Sequence, residues 1–176
     1  MNRRSRTISA IALVLVTGCA AAAPVDESAA RISVAFIEPE KFTDTRRVEL
    51  EPTSTGIVGE LQKFIITTGA RYLPENMTLN IRITDIDLAG DFELFRGPQA
   101  DQVRIVKGLY PPHFVLEFEI VDSAATVVKS GRRDLTDINY QLRSVYPRED
   151  YLRYEKDILR DWLLAELGVL KAGKTN

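Results

Sequence analysis

The chain has 176 residues, 45% of them hydrophobic and 27% charged, ordinary values for a globular protein. Without the leading Arg3, Arg4 and Arg6, 20 basic side chains stand against 25 acidic ones, a net of −5. That balance argues against a nucleic-acid partner, which needs a concentrated basic surface. No later stretch reaches the roughly 20 apolar residues of a spanning helix.

Arg3, Arg4 and Arg6 form a basic n-region, and Ile8 to Val16 is an apolar run too short to span a bilayer. Val16-Thr17-Gly18-Cys19 follows: a branched apolar residue, a small one, glycine and the single cysteine. This block resembles the lipobox of bacterial lipoproteins. The resemblance implies cleavage before Cys19, a covalent diacylglycerol on its sulfur and an N-acyl lipid on the new amino end. No other cofactor is expected. Two or three acyl chains anchor a protein firmly, whereas one binds marginally. Ala20, not Asp, follows the cysteine, and by resemblance to the sorting rule of enteric bacteria this favours the outer membrane. The other reading is an ordinary secretory signal cut within Ala20–Ala23. We therefore divide the chain into a signal peptide (1–18), a lipidated tether (19–30), one domain (31–170) and a frayed tail (171–176).

Ile32, Val34 and Phe36 alternate, which predicts a first strand stopped by Pro39. Glu38 to Pro52 is a charged loop, with a short strand near Val48. Ser54 or Thr55 can cap a helix whose buried stripe is Ile57, Leu61, Phe64, Ile65, Thr68 and Tyr72, and Pro74 ends it. Met77 to Glu93 is the longest alternating run. Leu79, Ile81 and Ile83 share one face of a strand, but Ile86 and Leu88 have the opposite parity. Either one extra residue sits near Thr84–Asp85 as a β-bulge, or the second half of the strand packs its other face. We favour the bulge, because it restores an interrupted core face.

Gly90 to Gln102 reads as a loop, with Phe92, Leu94 and Phe95 folded back on the body. Val103 and Ile105 suggest a short strand, and Pro111-Pro112 breaks the chain. Phe114, Leu116, Phe118 and Ile120 give the clearest half-buried strand. Asp122 to Ala125 predicts a hairpin turn, with Thr126 to Ser130 returning and a polar stretch to Asn139. The last element is a helix on Tyr151, Tyr154, Ile158, Trp162 and Ala165, with Leu159 and Leu163 beside them. Asp150 can cap it and Gly168 can loosen its end. Strands joined by hairpins, with two amphipathic helices to cover, predict an α+β two-layer sandwich. Its sheet is mostly antiparallel, with four to five strands.

Asp85, Asp87, Asp91 and Glu93 form an acidic cluster. Such a group can bind a hard cation such as Ca²⁺, which takes several oxygens, although the spacing is not that of an EF-hand. Two close carboxylates can also split their pKa values and act as acid and base. The plainer reading is a solvated strand edge, or Asp side chains holding turn and bulge amides. Lone His113 has no cysteine or second histidine near it, so zinc is not expected, and no nucleophile-elbow pattern accompanies it. Arg104, Lys107, Arg132 and Arg133 can pair with the cluster across the sheet, which is more a structural than a functional role.

Ile32 to Asp44, Leu73-Pro74, Leu79 to Asp91 with its IDLAGD core, Tyr110-Pro111-Pro112, Asp134 to Asn139 and Tyr154 to Trp162 (YEKDILRDW) carry a resemblance. Together they are similar to the family called domain of unknown function 3016, small exported proteins or predicted lipoproteins of Gram-negative bacteria. One departure is Ala124-Ala125, where Asp-Gly is expected. The resemblance implies an envelope address and no catalytic residue. The first functional expectation is a periplasm-facing outer-membrane lipoprotein, bound to the membrane by its anchor and to an envelope protein as a non-catalytic binding or adaptor module. The second is a metal-dependent envelope enzyme using Asp85, Asp87 and Asp91, and the third a soluble periplasmic protein.

Overall fold

The computed structural model describes residues 29–44, 56–92, 104–143 and 147–172. The Val16–Cys19 block, the Val48 region, Ser54, Thr55 and Glu93 lie outside the described residues. Strand β1 (Ile32–Phe36) leads to helix α1 (Ile57–Tyr72) and then to β2 (Met77–Asp87). Two short strands follow, β3 (Asp91–Phe92) and β4 (Arg104–Ile105), then β5 (His113–Asp122), β6 (Val127–Thr136) and helix α2 (Arg153–Ala172). The main sheet has the order β1-β2-β5-β6, and β3 and β4 form a separate ladder. β1 runs parallel to β2, and α1 lies in the long connection that a parallel pair requires. The β2–β5 and β5–β6 pairings are antiparallel, so the sheet is mixed and mostly antiparallel, in the expected α+β arrangement.

The core lies between the sheet and the two helices. Val34, Ile81, Ile83, Leu116 and Ile120 of the sheet bury against Leu61 and Ile65 of α1 and Leu159, Leu163 and Leu167 of α2. Each such side chain contributes roughly 1.5–3 kcal/mol by leaving water. The parity slip in β2 is a bulge. Ile83 faces Leu116 and Asp85 faces Val115, so Thr84 is the extra residue. Its hydroxyl donates to the Val115 carbonyl at 3.2 Å. Beyond the bulge Ile86 and Leu88 are buried again, as a restored core face requires.

Two elements differ from the sequence reading. β6 does not end at Ser130 but continues to Thr136. Its alternation is hidden because the half-buried positions are Lys129, Gly131, Arg133 and Leu135 rather than an aliphatic series. Lys129 and Arg133 reach Glu166 of α2, both at 2.6 Å. Charges turned inward on an edge strand also discourage pairing with another chain. Along α2 and the turn before it the buried stripe is Leu152, Glu155, Ile158, Leu159, Trp162, Leu163, Glu166 and Leu167, while Tyr151 and Ala165 are exposed. The two buried glutamates break the apolar pattern, which shifts the apparent stripe toward the tyrosines. Gly168 lies inside the helix, four residues short of its end at Ala172, and does not close it.

Candidate functional site

β2, β5 and β6 end together around the acidic block, and the bulge turns Asp85 and Asp87 to the open face of the sheet. Asp85 is engaged at both oxygens. Oδ1 accepts the amides of Thr43 at 2.7 Å and Ile86 at 3.0 Å, and Oδ2 accepts the Thr43 hydroxyl at 2.9 Å. The side chain therefore clamps the chain that leaves β1 onto the bulge. Asp87 is half-buried in a cleft of about 450 Å³ lined also by Asp44, Asp91, Tyr110 and His113. Burial pushes the Asp87 carboxyl above its ordinary range, and the charge of Asp44 pushes it further, while Arg104 opposes both. Nε2 of His113 lies 2.7 Å from Oδ1 of Asp134. Asp91 is exposed at the start of β3. Among the described residues no three His, Cys, Asp or Glu side chains converge to hold a metal ion.

Behind the cleft lies a buried polar knot that the sequence reading did not assemble. Arg104 donates from Nε to the Ala89 carbonyl at 2.8 Å and from its guanidinium to the Leu88 carbonyl, and it forms an ion pair with Asp44. Both side chains of that pair are 9% exposed. Glu155, 1% exposed in the first turn of α2, accepts the Ala89 amide on Oε1 at 2.7 Å. The Gly90 amide donates to the Tyr110 carbonyl at 2.9 Å. Gly90 has φ of 87°, and a Cβ there would stand 2.7 Å from the Ile105 carbonyl oxygen. The IDLAGD and YEKDILRDW blocks therefore meet, through Ala89 and Glu155.

Of the other cations, Arg133 is committed elsewhere. Arg133 pairs with Glu166 and lies 5.0 Å over the Phe118 ring. The Lys107 carbonyl accepts the Tyr140 hydroxyl at 2.6 Å. Of the knot's members only Glu155 left a signal in the sequence, an acid at core spacing in the last helix. Asp44 gave no signal, because only the fold brings it to Arg104.

The two buried glutamates titrate in opposite senses. Burial raises the Glu155 carboxyl, although amide bonds and the charge of Arg104 pull it down in part. Burial opposes ionisation of Glu166 too, but the hydrogen bonds and charges of Arg133 and Lys129 outweigh it and hold Glu166 below its ordinary value. The folded state thus binds the Glu155 proton more tightly than the unfolded chain does. That contribution is complete below the ordinary glutamate value of about 4.3 and is lost as pH rises through the raised value. Glu166 contributes stability above the ordinary value, and loses it as pH falls through its lowered one. Glu155→Gln keeps an oxygen for Ala89 and removes one of these two effects. In urea unfolding the variant is expected to gain stability relative to wild type as pH rises from the ordinary glutamate value of about 4.3 through the raised one. A difference that does not move with pH would mean that Glu155 titrates normally.

The fold and the knot define an α+β module in which most of the distinctive polar residues hold one end of a sheet in place. The chain belongs to the family described as protein of unknown function (DUF3016), whose model matches residues 30–165. No curated protein matches it. Among solved structures, a minor lipoprotein from Acinetobacter baumannii is similar at 13% identity over 81% of this chain and 93% of that one, with a TM-score of 0.25. A superposition that loose bears on neither fold nor function.

Proposed function

We propose that this is a lipid-anchored envelope protein, held through Cys19 at the periplasmic face of the outer membrane, whose domain acts as a non-catalytic binding module. The observation that carries the non-catalytic half is the use made of the acidic block. Both oxygens of Asp85 are committed to Thr43 and Ile86, and Arg104 to Asp44, Leu88 and Ala89. The anchor half rests on the Val16-Thr17-Gly18-Cys19 block, about ten residues before the family match begins. Among the described residues no helix is long and apolar enough to cross a membrane. Acyl chains on Cys19 would supply the attachment.

Mass spectrometry of the mature protein tests the anchor. The expected product begins at Cys19 and carries diacylglyceryl and N-acyl mass, and Cys19→Ala fails to take up labelled palmitate. A product that begins beyond Cys19 without lipid mass would favour the soluble periplasmic reading.

A second reading has one observation in its favour. The cleft beside Asp44, Asp87 and Asp91, with the Asp87 carboxyl raised, is what an acid–base or metal-assisted site would need. Heat on titrating the protein with Ca²⁺, Mg²⁺ or Mn²⁺, lost in Asp87→Asn, would move the account to that reading.

A further inference from the structure

Helices α1 and α2 lie side by side and run in the same direction. Glu60 meets Lys156 at 3.3 Å, and four residues further along each helix Arg160 stands 5.8 Å over the Phe64 ring. A cleft of about 510 Å³ runs between the two helices. Phe64 and Tyr72, both half-buried, give it an apolar wall. Its charged lining is Lys63, Arg71, Lys156 and Arg160 against one carboxylate, Glu60. Lys156 is committed to Glu60 and to Asp150 at 2.7 Å, and Arg160 gives one nitrogen to Asp157. Lys63 is exposed and makes no ion pair among the described residues. Arg71 stands two turns further along the same row of α1, also exposed.

This cationic excess belongs to a chain whose net charge is −2, and the other clefts do not repeat it. The cleft beside Asp87 is lined by Asp44, Asp87 and Asp91, with His113 as its one basic side chain. The open face of the sheet sets Arg82 and Arg132 against Glu117 and Glu119. The start of the domain lies on the helical side. The short turn Ala29–Arg31 packs against α1, and Arg31 binds the Pro74 and Met77 carbonyls just beyond the end of that helix. The chain therefore enters beside the Arg71–Tyr72 end of the cleft. Ala29 is ten residues from Cys19, a length of chain that spans at most about 35 Å. Leu164, 49% exposed, follows Lys156 and Arg160 at four-residue spacing on α2 and adds an apolar contact to the same side.

Resting on the lipid-anchor reading above, we propose that the α1–α2 cleft docks on the headgroups of anionic phospholipid, so that the helices lie on the bilayer and the open face of the sheet turns to water. Lys63 and the free nitrogens of Arg160 meet lipid phosphate, and Arg71 adds to the positive field. Tyr72 and Leu164 reach toward the boundary between headgroups and acyl chains. The short link to Cys19 holds the cleft near the surface, and charge decides which face turns to it. Each Lys or Arg at an anionic surface strengthens attachment about fivefold.

The test is fluorescence quenching of the mature lipidated chain in vesicles. With Cys19 acylated, one introduced cysteine takes the fluorophore: Thr67→Cys on the cleft, or Val128→Cys, 43% exposed on the open face of the sheet. Doxyl-labelled lipid is the quencher, in vesicles of phosphatidylcholine alone or of equal parts phosphatidylcholine and phosphatidylglycerol. In the mixed vesicles the label at position 67 is expected to be quenched at least about threefold more strongly than the label at position 128. Lys63→Glu, or phosphatidylcholine alone, is expected to cut that quenching severalfold. Lys63 has no partner to lose among the described residues, so this variant keeps the fold. Equal quenching at the two positions, stronger quenching at position 128, or quenching at position 67 that ignores both phosphatidylglycerol and Lys63→Glu would overturn the proposal. Flotation with phosphatidylcholine alone reads the anchor separately, because acyl chains insert without anionic lipid. A chain that fails to float there would overturn the anchor, and this proposal with it.

Discussion

Replacing Arg104 with methionine is expected to lower the unfolding free energy by about 3–5 kcal/mol, the cost of stranding a buried charge. Methionine keeps most of the stem, so the loss is chiefly polar. Asp44 would stay buried without its cation, and the Leu88 and Ala89 carbonyls would lose their donors. Arg82 gives the scale for an ordinary pair. It meets Glu117 at 3.3 Å with side chains 59% and 44% exposed, and such a surface pair is worth about 0–1 kcal/mol. Urea unfolding with an unchanged m-value measures both. A loss at Arg104→Met no larger than that at Arg82→Met would mean that water already reaches the knot.

Gly90→Ala is expected to cost about 2 kcal/mol or more, from a left-handed backbone and a forced contact together. The position has φ of 87°, and its Cβ would meet backbone, the Ile105 carbonyl oxygen at 2.7 Å. A flexible side chain could move aside, but a carbonyl in the β3–β4 ladder takes the ladder with it. Gly168→Ala is the matched control. It lies within α2, where the new Cβ would find Leu164 at an acceptable 3.4 Å. There the change is expected to be neutral or to gain up to about 1 kcal/mol from helix propensity. Equal losses at the two glycines would remove the special role of the IDLAGD turn.

What the sequence made legible was what local pattern encodes. Parity left two choices for β2, a bulge near Thr84–Asp85 or a second half packed on its other face, and the favoured bulge is the one that forms, at Thr84. The α1 stripe followed from spacing, and the hairpin from Asp122, whose carboxylate does accept the amides of Ala124 and Thr126, both at 2.9 Å. Ala125 then adopts φ of 60° where glycine is expected, so the turn forms despite the substitution. The second half of β6 was illegible because its inward positions are Gly131, Arg133 and Leu135, and Arg133 is long enough to reach Glu166. The knot was illegible for another reason. Asp44, Ala89, Arg104 and Glu155 are far apart in sequence and meet only after the parallel β1–β2 pairing and the docking of α2. The acidic cluster looked like one unit because its residues are adjacent, yet the fold gives them separate tasks. Asp85 clamps Thr43, Asp87 lines the cleft, and Asp91 starts a strand.

The IDLAGD end of the sheet is held by one buried ion pair, Asp44 with Arg104, whose guanidinium grips the Leu88 and Ala89 carbonyls. A double-mutant cycle on Asp44→Asn and Arg104→Met, read by urea unfolding, addresses it directly. The expected coupling is about 2 kcal/mol, with the double variant losing far less than the sum of the singles. Losses that add to within about 0.5 kcal/mol would show two independent side chains and contradict the account.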